Sequence, residues 1–277
     1  MSATRVLTLN VWGRGSAWRR RLPLIRDGLV RLAPDVVGLQ EVWRKRSGCQ
    51  AERIADGLGY HVTYGAASSR RGCATQGNAL LTREPVTRYD VLPLPVPGGV
   101  EPRSVLRAEM GATTVLVTHL TWEWEHAFVR HQQVRFLADL ADLADLADLA
   151  DLADLADLAD LADLADLAER RGGRDVVLLA DLNAAPDTDE IRWLTGRMAD
   201  AWVSAGSGSG HTYTPANGFA RKAREPARRI DFVLTAGPRA AHAELAFTAP
   251  VRARRRTVWP SDHFGVVCDL TSDPGAP

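Results

Sequence analysis

The chain alternates apolar and polar residues along RVLTLNVW near its start, the pattern of a strand with one buried face. It then places apolar residues at helical spacing through RLPLIRDGLVRLA. The next apolar run, PDVVGLQEV, is short and β-branched and reads as a buried strand, so the opening is β-α-β. Strand patterns recur at HVTYG, NALLTREPV, SVLRAEM, TTVLVTHLTW, DVVLLADLN, RIDFVLTA and FGVVCDL, with Gly, Pro, Asn and Asp turn signals between them. Many strands and few helices predict an α/β fold in which packed sheets are flanked by helices.

One segment breaks the pattern. EHAFVRHQQVRFLADL starts a helix, and residues 138–167 are ten unbroken copies of Ala-Asp-Leu. Ala and Leu favour helix, but a three-residue period makes the Leu positions drift by about 60° per copy around an α-helix. The repeat therefore encodes neither a coiled-coil seam nor a core-facing stripe beyond a turn or two. A continuous helix over 126–169 would run for about 66 Å, longer than a domain of this size can cover, so part of it should protrude. The segment reads either as an acidic partner-binding arm or as an expansion tolerated on an exposed helix. The low cost of surface insertions favours the second reading, and no partner protein is inferred.

Length and composition, 277 residues with 45% apolar content, suit one globular domain over 1–271, with the repeat as an insertion and 272–277 as a disordered tail. The sequence holds no apolar stretch of membrane-spanning length and no signal-peptide pattern. No integral membrane contact and a cytoplasmic location are therefore expected. Cys49, Cys73 and Cys268 are odd in number and lack metal-ligand spacing, which points to reduced thiols. The formal charge of zero hides an asymmetry: ten of the 34 acids lie in the repeat, leaving 34 − 24 = +10 for the other 247 residues. A basic body suits a phosphate-bearing substrate, though the dominance of Arg, with Lys45 and Lys222 the only lysines, equally fits a skew in codon usage.

Chemistry-bearing residues sit where apolar strands end: Asn10 in LTLNVWG, Glu41 in GLQEVW, Arg103 in EPRSVLRAE, His119 in VTHLTW, Asp181 and Asn183 in LADLN, Asp231 in RRIDFVL, and Asp262 with His263 in WPSDHFGVV. Strand ends rimming a sheet are where α/β proteins build sites. The inventory fits metal-assisted phosphodiester hydrolysis. Carboxylate and amide oxygens such as those of Glu41, Asn10 and Asp262 suit Mg²⁺, with Mn²⁺ as a substitute. A neutral imidazole can take a proton from water while a carboxylate fixes its tautomer, roles that His263 and Asp231 could fill. His119, Asn183 and Arg103 can supply donors to the charge that grows on phosphate oxygens. Taken singly, each residue could instead be a turn former or a satisfied core residue.

The ordered set N…QE…R…TH…D-x-N…RID…SDH resembles the endonuclease/exonuclease/phosphatase superfamily from Leu7 to Asp269, the repeat excluded. The resemblance implies a DNase I-like four-layer sandwich, two packed mixed β-sheets flanked by helices, with the site at one end. It also implies Asn10 and Glu41 near the metal, Asp181 and Asn183 at the reacting phosphate, and Asp231 paired with His263. Ala180 stands where members usually have Gly, and the repeat lies in a helix that members share.

LNVWG and LQEVW are similar to the neutral sphingomyelinase branch and to short bacterial members. The apolar hairpin or membrane helix that a lipid enzyme should carry is missing; VLPLPVPGGV is only Pro-rich and apolar. RRGCATQGN, FARKAREPARR and VRARRRTVW supply basic charge for nucleic acid but no recognisable reader of sequence. The leading expectation is a nuclease-type phosphodiesterase acting on nucleic acid. A phospholipid headgroup phosphodiesterase and a catalytically idle phosphate-ligand binding protein are the alternatives.

Overall fold

The computed structural model describes residues 3–16, 18–67, 75–142, 175–253 and 256–272. The first half of the chain runs β1 (Thr4–Asn10), α1 (Trp18–Leu32), β2 (Val36–Lys45), β3 (Gly48–Cys49), α2 (Gln50–Ala55), β4 (His61–Ala66), β5 (Thr75–Thr82), β6 (Arg88–Pro93), β7 (Ser104–Met110) and β8 (Thr113–His119). A 3-10 turn at Trp124–His126 leads into α3 (Ala127–Asp142), followed by β9 (Asp175–Asp181), α4 (Asp189–Thr195), β10 (Ala199–Asp200) and α5 (Ala201–Ala205). The chain closes with β11 (Asp231–Ala236), β12 (Arg239–Ala246), a small ribbon of β13 (Val251–Ala253) and β14 (Arg256–Val258), and β15 (Gly265–Thr271).

Two mixed sheets result. The first has the order β12-β15-β1-β2-β5-β4, with β3 attached to β2, and the second has the order β10-β11-β9-β8-β7-β6. Among the described residues, only the β1–β2 and β8–β9 pairs are parallel. Period-two alternation assigns each strand's faces. Leu7 and Leu9 of β1 join Ile25 and Leu29 of α1 in one core, and Leu178 of β9 joins Val134 and Leu137 of α3 in another. Val6, Val36, Val117, Val177, Leu179 and Val233 meet between the sheets. The sheets approach closely at Gly38, where a Cβ would lie 2.6 Å from Leu179 Cβ.

The inward faces change character along their length. Those of β1, β8, β9 and β11 end in Asn10, His119, Asp181 and Asp231, so the apolar filling gives way to polar side chains at one end of the sandwich. The architecture is the two-sheet sandwich with outer helices that the sequence pattern predicts. Strand β5 stops at Thr82, short of the run NALLTREPV, because Pro85 cannot extend the ladder. Among the described residues no helix is long and apolar enough to cross a membrane. Cys49 and Cys268 are buried free thiols; Cys73, residues 273–277 and the repeat beyond Asp142 lie outside the described residues, as do the expectations that fall on them.

The start of the repeat belongs to the core. Leu137, Ala138, Leu140 and Ala141 pack with Ile191 and Leu194 of α4, continuing the stripe set by Val134. Leu140→Ala should therefore cost about 2–5 kcal/mol of stability by opening a cavity. Deletion of residues 147–164 removes 18 residues, six of the ten copies, and spares that stripe. Its melting temperature and turnover should stay near wild type. Lost turnover with an unchanged melting temperature would instead assign the acidic repeat a function.

Candidate active site

Strand register lines up the centre of the site. Asp181 at the end of β9 lies opposite Asp231 of β11 on one side and His119 of β8 on the other. All three side chains point between the sheets, and both carboxylates are fully buried. From the facing sheet, Asn10 donates its amide N–H to Asp181 Oδ2 at 2.9 Å and to Glu41 Oε1 at 3.1 Å. The loop before β15 contributes Ser261, Asp262 and His263; Ser261 Oγ donates to the carbonyl of Asn10 at 2.6 Å, tying this loop to β1.

His263 Nδ1 lies 2.9 Å from Asp231 Oδ2 and 3.8 Å from Asp181 Oδ2. Burial alone would lower the imidazole, but the negative charge of Asp231 and Asp181 outweighs it and holds His263 well above its ordinary range. Burial, reinforced by Asp231, pushes Asp181 up to about 7. His119 goes the other way: burial and the adjacent Arg103 guanidinium hold it well below the ordinary value. Arg103 Nη1 lies 3.1 Å from His119 Nδ1, and because a guanidinium only donates, the His119 proton sits on Nε2, 3.5 Å from Asp181 Oδ2. Asn183 adopts φ +50°, donates its backbone N–H to Asp181 Oδ1 and donates one side-chain amide hydrogen to the carbonyl of Leu120.

Glu41 is inside β2, not at a strand end as the sequence pattern suggests. It occupies a bulge between Leu39 and Val42 with φ +57°, which turns its carboxylate into the cleft. Asn10 holds one of its oxygens and Gln76 Nε2, at 3.2 Å, holds the other. Asp262 is pushed up to about 6, mainly by burial and further by Glu41. A buried carboxylate raised further by a neighbouring acid is the electrostatic condition that a divalent cation relieves. The amide oxygen of Asn10 accepts from the Trp12 backbone N–H at 2.8 Å, so in this geometry Asn10 positions carboxylates more directly than it offers a ligand. A second group able to hold a cation, Asp181, Asp231 and His263, brings its ligand atoms within 4.8 Å of one another, and Asp231 Oδ1 is buried without a hydrogen-bond partner. There, however, the Asp231–His263 hydrogen bond already engages the ring nitrogen.

Asn10, Glu41, Arg103, His119, Asp181, Asn183, Asp262 and His263 line one cleft of about 350 Å³, with Asp231 buried behind His263. The cleft also takes Trp12, Gln76, Glu101, Trp122, Trp124, Tyr213, Glu225 and Arg228, none of which is among the strand-end residues that the sequence pattern singles out. The family model described as Endonuclease/Exonuclease/phosphatase family matches residues 7–263. The chain belongs to this family. Its members act as hydrolases of phosphate esters.

Solved structures agree on the fold. A truncated TDP2 from Caenorhabditis elegans is 21% identical with a TM-score of 0.71, the match covering 98% of each chain. An endonuclease/exonuclease/phosphatase from Beutenbergia cavernae is 25% identical with a TM-score of 0.68, covering 100% of this chain and 73% of that one. The mannosyl-6-phosphatase Bt3783 of Bacteroides thetaiotaomicron is 13% identical with a TM-score of 0.71, covering 97% of this chain and 99% of that one. No curated protein matches the sequence.

Arg21, which the sequence pattern left inside α1 as one basic residue among several, holds the cleft's floor. Its guanidinium is fully buried and donates to the backbone carbonyls of Val11, Trp12, Gly13, Gly15, Ser16 and Pro260 at 2.7 to 3.2 Å. It lies 5.2 Å from the ring centroid of Trp12 and 5.4 Å from that of Trp18. Burial lowers it to about 10 while Asp262 and Glu41 oppose the shift, so it remains a cation. Arg21 thus joins the turn after Asn10 to the turn before Asp262. Arg21→Lys keeps the charge but not the planar fork. It should cost about 2–4 kcal/mol of stability, read as a lower melting temperature, and lower the turnover of phosphate esters at temperatures where the variant is still folded. Unchanged turnover of the folded variant would limit Arg21 to folding alone.

Proposed function

We propose that the chain is a divalent-cation-dependent phosphodiesterase, with nucleic acid as its substrate class and Mg²⁺, or Mn²⁺ in its place, as the cation. The observation that carries this reading is the convergence, in one cleft, of crowded carboxylates at Glu41 and Asp262 with a carboxylate–imidazole pair at Asp231 and His263. Glu41 and Asp262 would hold the cation, with Asn10 steering Glu41. The cation would supply Lewis-acid polarisation of a phosphoryl oxygen.

The chain's own groups do the rest. Asp231 accepts a hydrogen bond from the Nδ1–H of His263, which leaves Nε2 to take a proton from water as the water oxygen bonds to phosphorus. The bond from phosphorus to the leaving oxygen then breaks, that oxygen takes up a proton from solvent, and His263 returns its extra proton to solvent. His119, neutral with its proton on Nε2, can donate to a non-bridging oxygen, as can the second amide hydrogen of Asn183. Arg103 keeps His119 in that tautomer. Exposed cations lie near the cleft residue Trp12: Lys222 lies 6.0 Å from the ring centroid of Phe219, which packs on Trp12 at 4.9 Å, and Arg14, two residues after Trp12, lies 5.7 Å from the Trp43 ring centroid. They favour a polyanionic substrate over an isolated phosphate ester.

A second assignment of the base draws on the fact that Asp181 and His263 are both raised, which leaves a carboxylate able to accept a proton beside a charged imidazole. With Asp181 pushed up to about 7 and His263 held well above its ordinary range, Asp181 could take the water's proton while a charged His263 stabilises the phosphate.

Glu41→Gln should lower kcat/KM by about 10²-fold or more and weaken Mg²⁺ dependence at an unchanged melting temperature. EDTA should stop wild-type turnover, and Mg²⁺ or Mn²⁺ should restore it. Full turnover in EDTA would exclude the proposal. The pH profile separates the two bases. A His263 base must be neutral, so the rate falls as pH drops through a value above the usual ~6.5 and stays level above it. Asp231→Asn should move that limb to lower pH. An Asp181 base working with charged His263 gives a bell instead, with a fall on the alkaline side as well.

A further inference from the structure

Three of the exposed large apolar side chains, Trp122, Trp124 and Phe128, lie within seven residues of the chain. Trp122 and Trp124 line the cleft and remain 57% and 56% exposed. Indole surface of that extent is not packing the core. A chain of flat groups leads inward from it. The Arg228 guanidinium lies 4.3 Å from the Trp124 ring centroid and 5.6 Å from that of Tyr213, and the Tyr213 ring lies 5.1 Å from His263. Arg228 is paired with Glu225, and its side chain is only 14% exposed. Neutralised in this way, the guanidinium works less as a bare anion site than as a planar layer between two rings.

We propose that Trp122, Trp124, Arg228 and Tyr213 form a stacking wall for an unpaired nucleobase attached to the scissile phosphate. The assignment rests on the phosphodiesterase reading above and narrows its substrate to single-stranded or locally unpaired nucleic acid. A base inside a duplex has both faces covered by its neighbours, whereas an unpaired base offers a free face to an aromatic side chain. The contact between Tyr213 and His263 places the inner end of the wall beside the reacting centre. Charge along the wall separates this ligand from a bilayer surface. In the stretch TWEWEH each Trp is followed by a Glu, and an interfacial segment would pair its aromatics with Lys and Arg.

Binding decides the matter without relying on turnover. Full-length protein carrying His263→Ala, loaded with Mg²⁺, is titrated with a fluorescein-labelled single-stranded deoxyoligonucleotide, with the same oligonucleotide bearing abasic sites, with its duplex, and with sphingomyelin vesicles. The base-bearing single strand should bind at least about tenfold more tightly than the abasic strand. Adding Trp122→Ala or Trp124→Ala should abolish that difference, and Trp124→Phe should keep most of it. Equal affinity for abasic and base-bearing strands overturns the proposal. So does binding to vesicles that depends on both tryptophans and exceeds binding to the oligonucleotide. Wild-type turnover of methyl p-nitrophenyl phosphate, measured in parallel, reports on phosphodiester hydrolysis itself. If it persists while the base preference fails, only the wall is lost; if it is absent with every divalent cation while the base preference holds, the hydrolytic reading fails and the wall stands.

Discussion

The burial of Asp181 is the constraint on which the site's arrangement depends. A carboxylate with no exposed surface, next to a second one on the adjoining strand, is tolerated only where donors reach it from several sides. Here the donors come from different parts of the chain: Asn10 from the facing sheet, the Asn183 backbone N–H from the following turn, and the charge of His263 from the loop before β15. Asn10 can reach across because the sheets close up at Gly38, where no side chain keeps Leu179 away. The spacing of the sandwich and the satisfaction of its buried acid are therefore one requirement. Arg21 extends it outward, since the carbonyls it collects belong to the turn after Asn10 and the turn before Asp262.

Much of this was legible in the sequence. Strand runs such as TTVLVTH and DVVLLAD end in the residues that the structure brings side by side, because period-two alternation puts the last inward position of each strand at the same end of the sheet. The cleft unites eight of the nine candidate residues, and the ninth, Asp231, stands directly behind His263. Other features were not legible, for definable reasons. RAAHAELA has the composition of a helix but forms the edge strand β12, because pairing with β15 overrides local propensity. The bulge at Glu41 leaves no mark in QEVW. Arg21 follows two other arginines in WRRR, and nothing local tells a guanidinium that will be buried from those that stay exposed. Trp124 and Arg228 lie 104 residues apart, and only the fold makes them neighbours.

The same reasoning bears on the repeat. Helix α3 begins immediately after the 3-10 turn at Trp124–His126 and is clamped along its length by Val129, Val134, Leu137 and Leu140. At 1.5 Å per residue its 16 residues span about 24 Å of anchored helix between the cleft mouth and Asp142. A change in the number of copies beyond that point has to be transmitted through this clamped stretch before it can move Trp122 or His119. A clamp of several fully buried side chains resists such displacement, because shifting it would open voids in a close-packed core. An insertion after the last clamped turn thus leaves the site geometrically insulated, and one nearer the cleft would not.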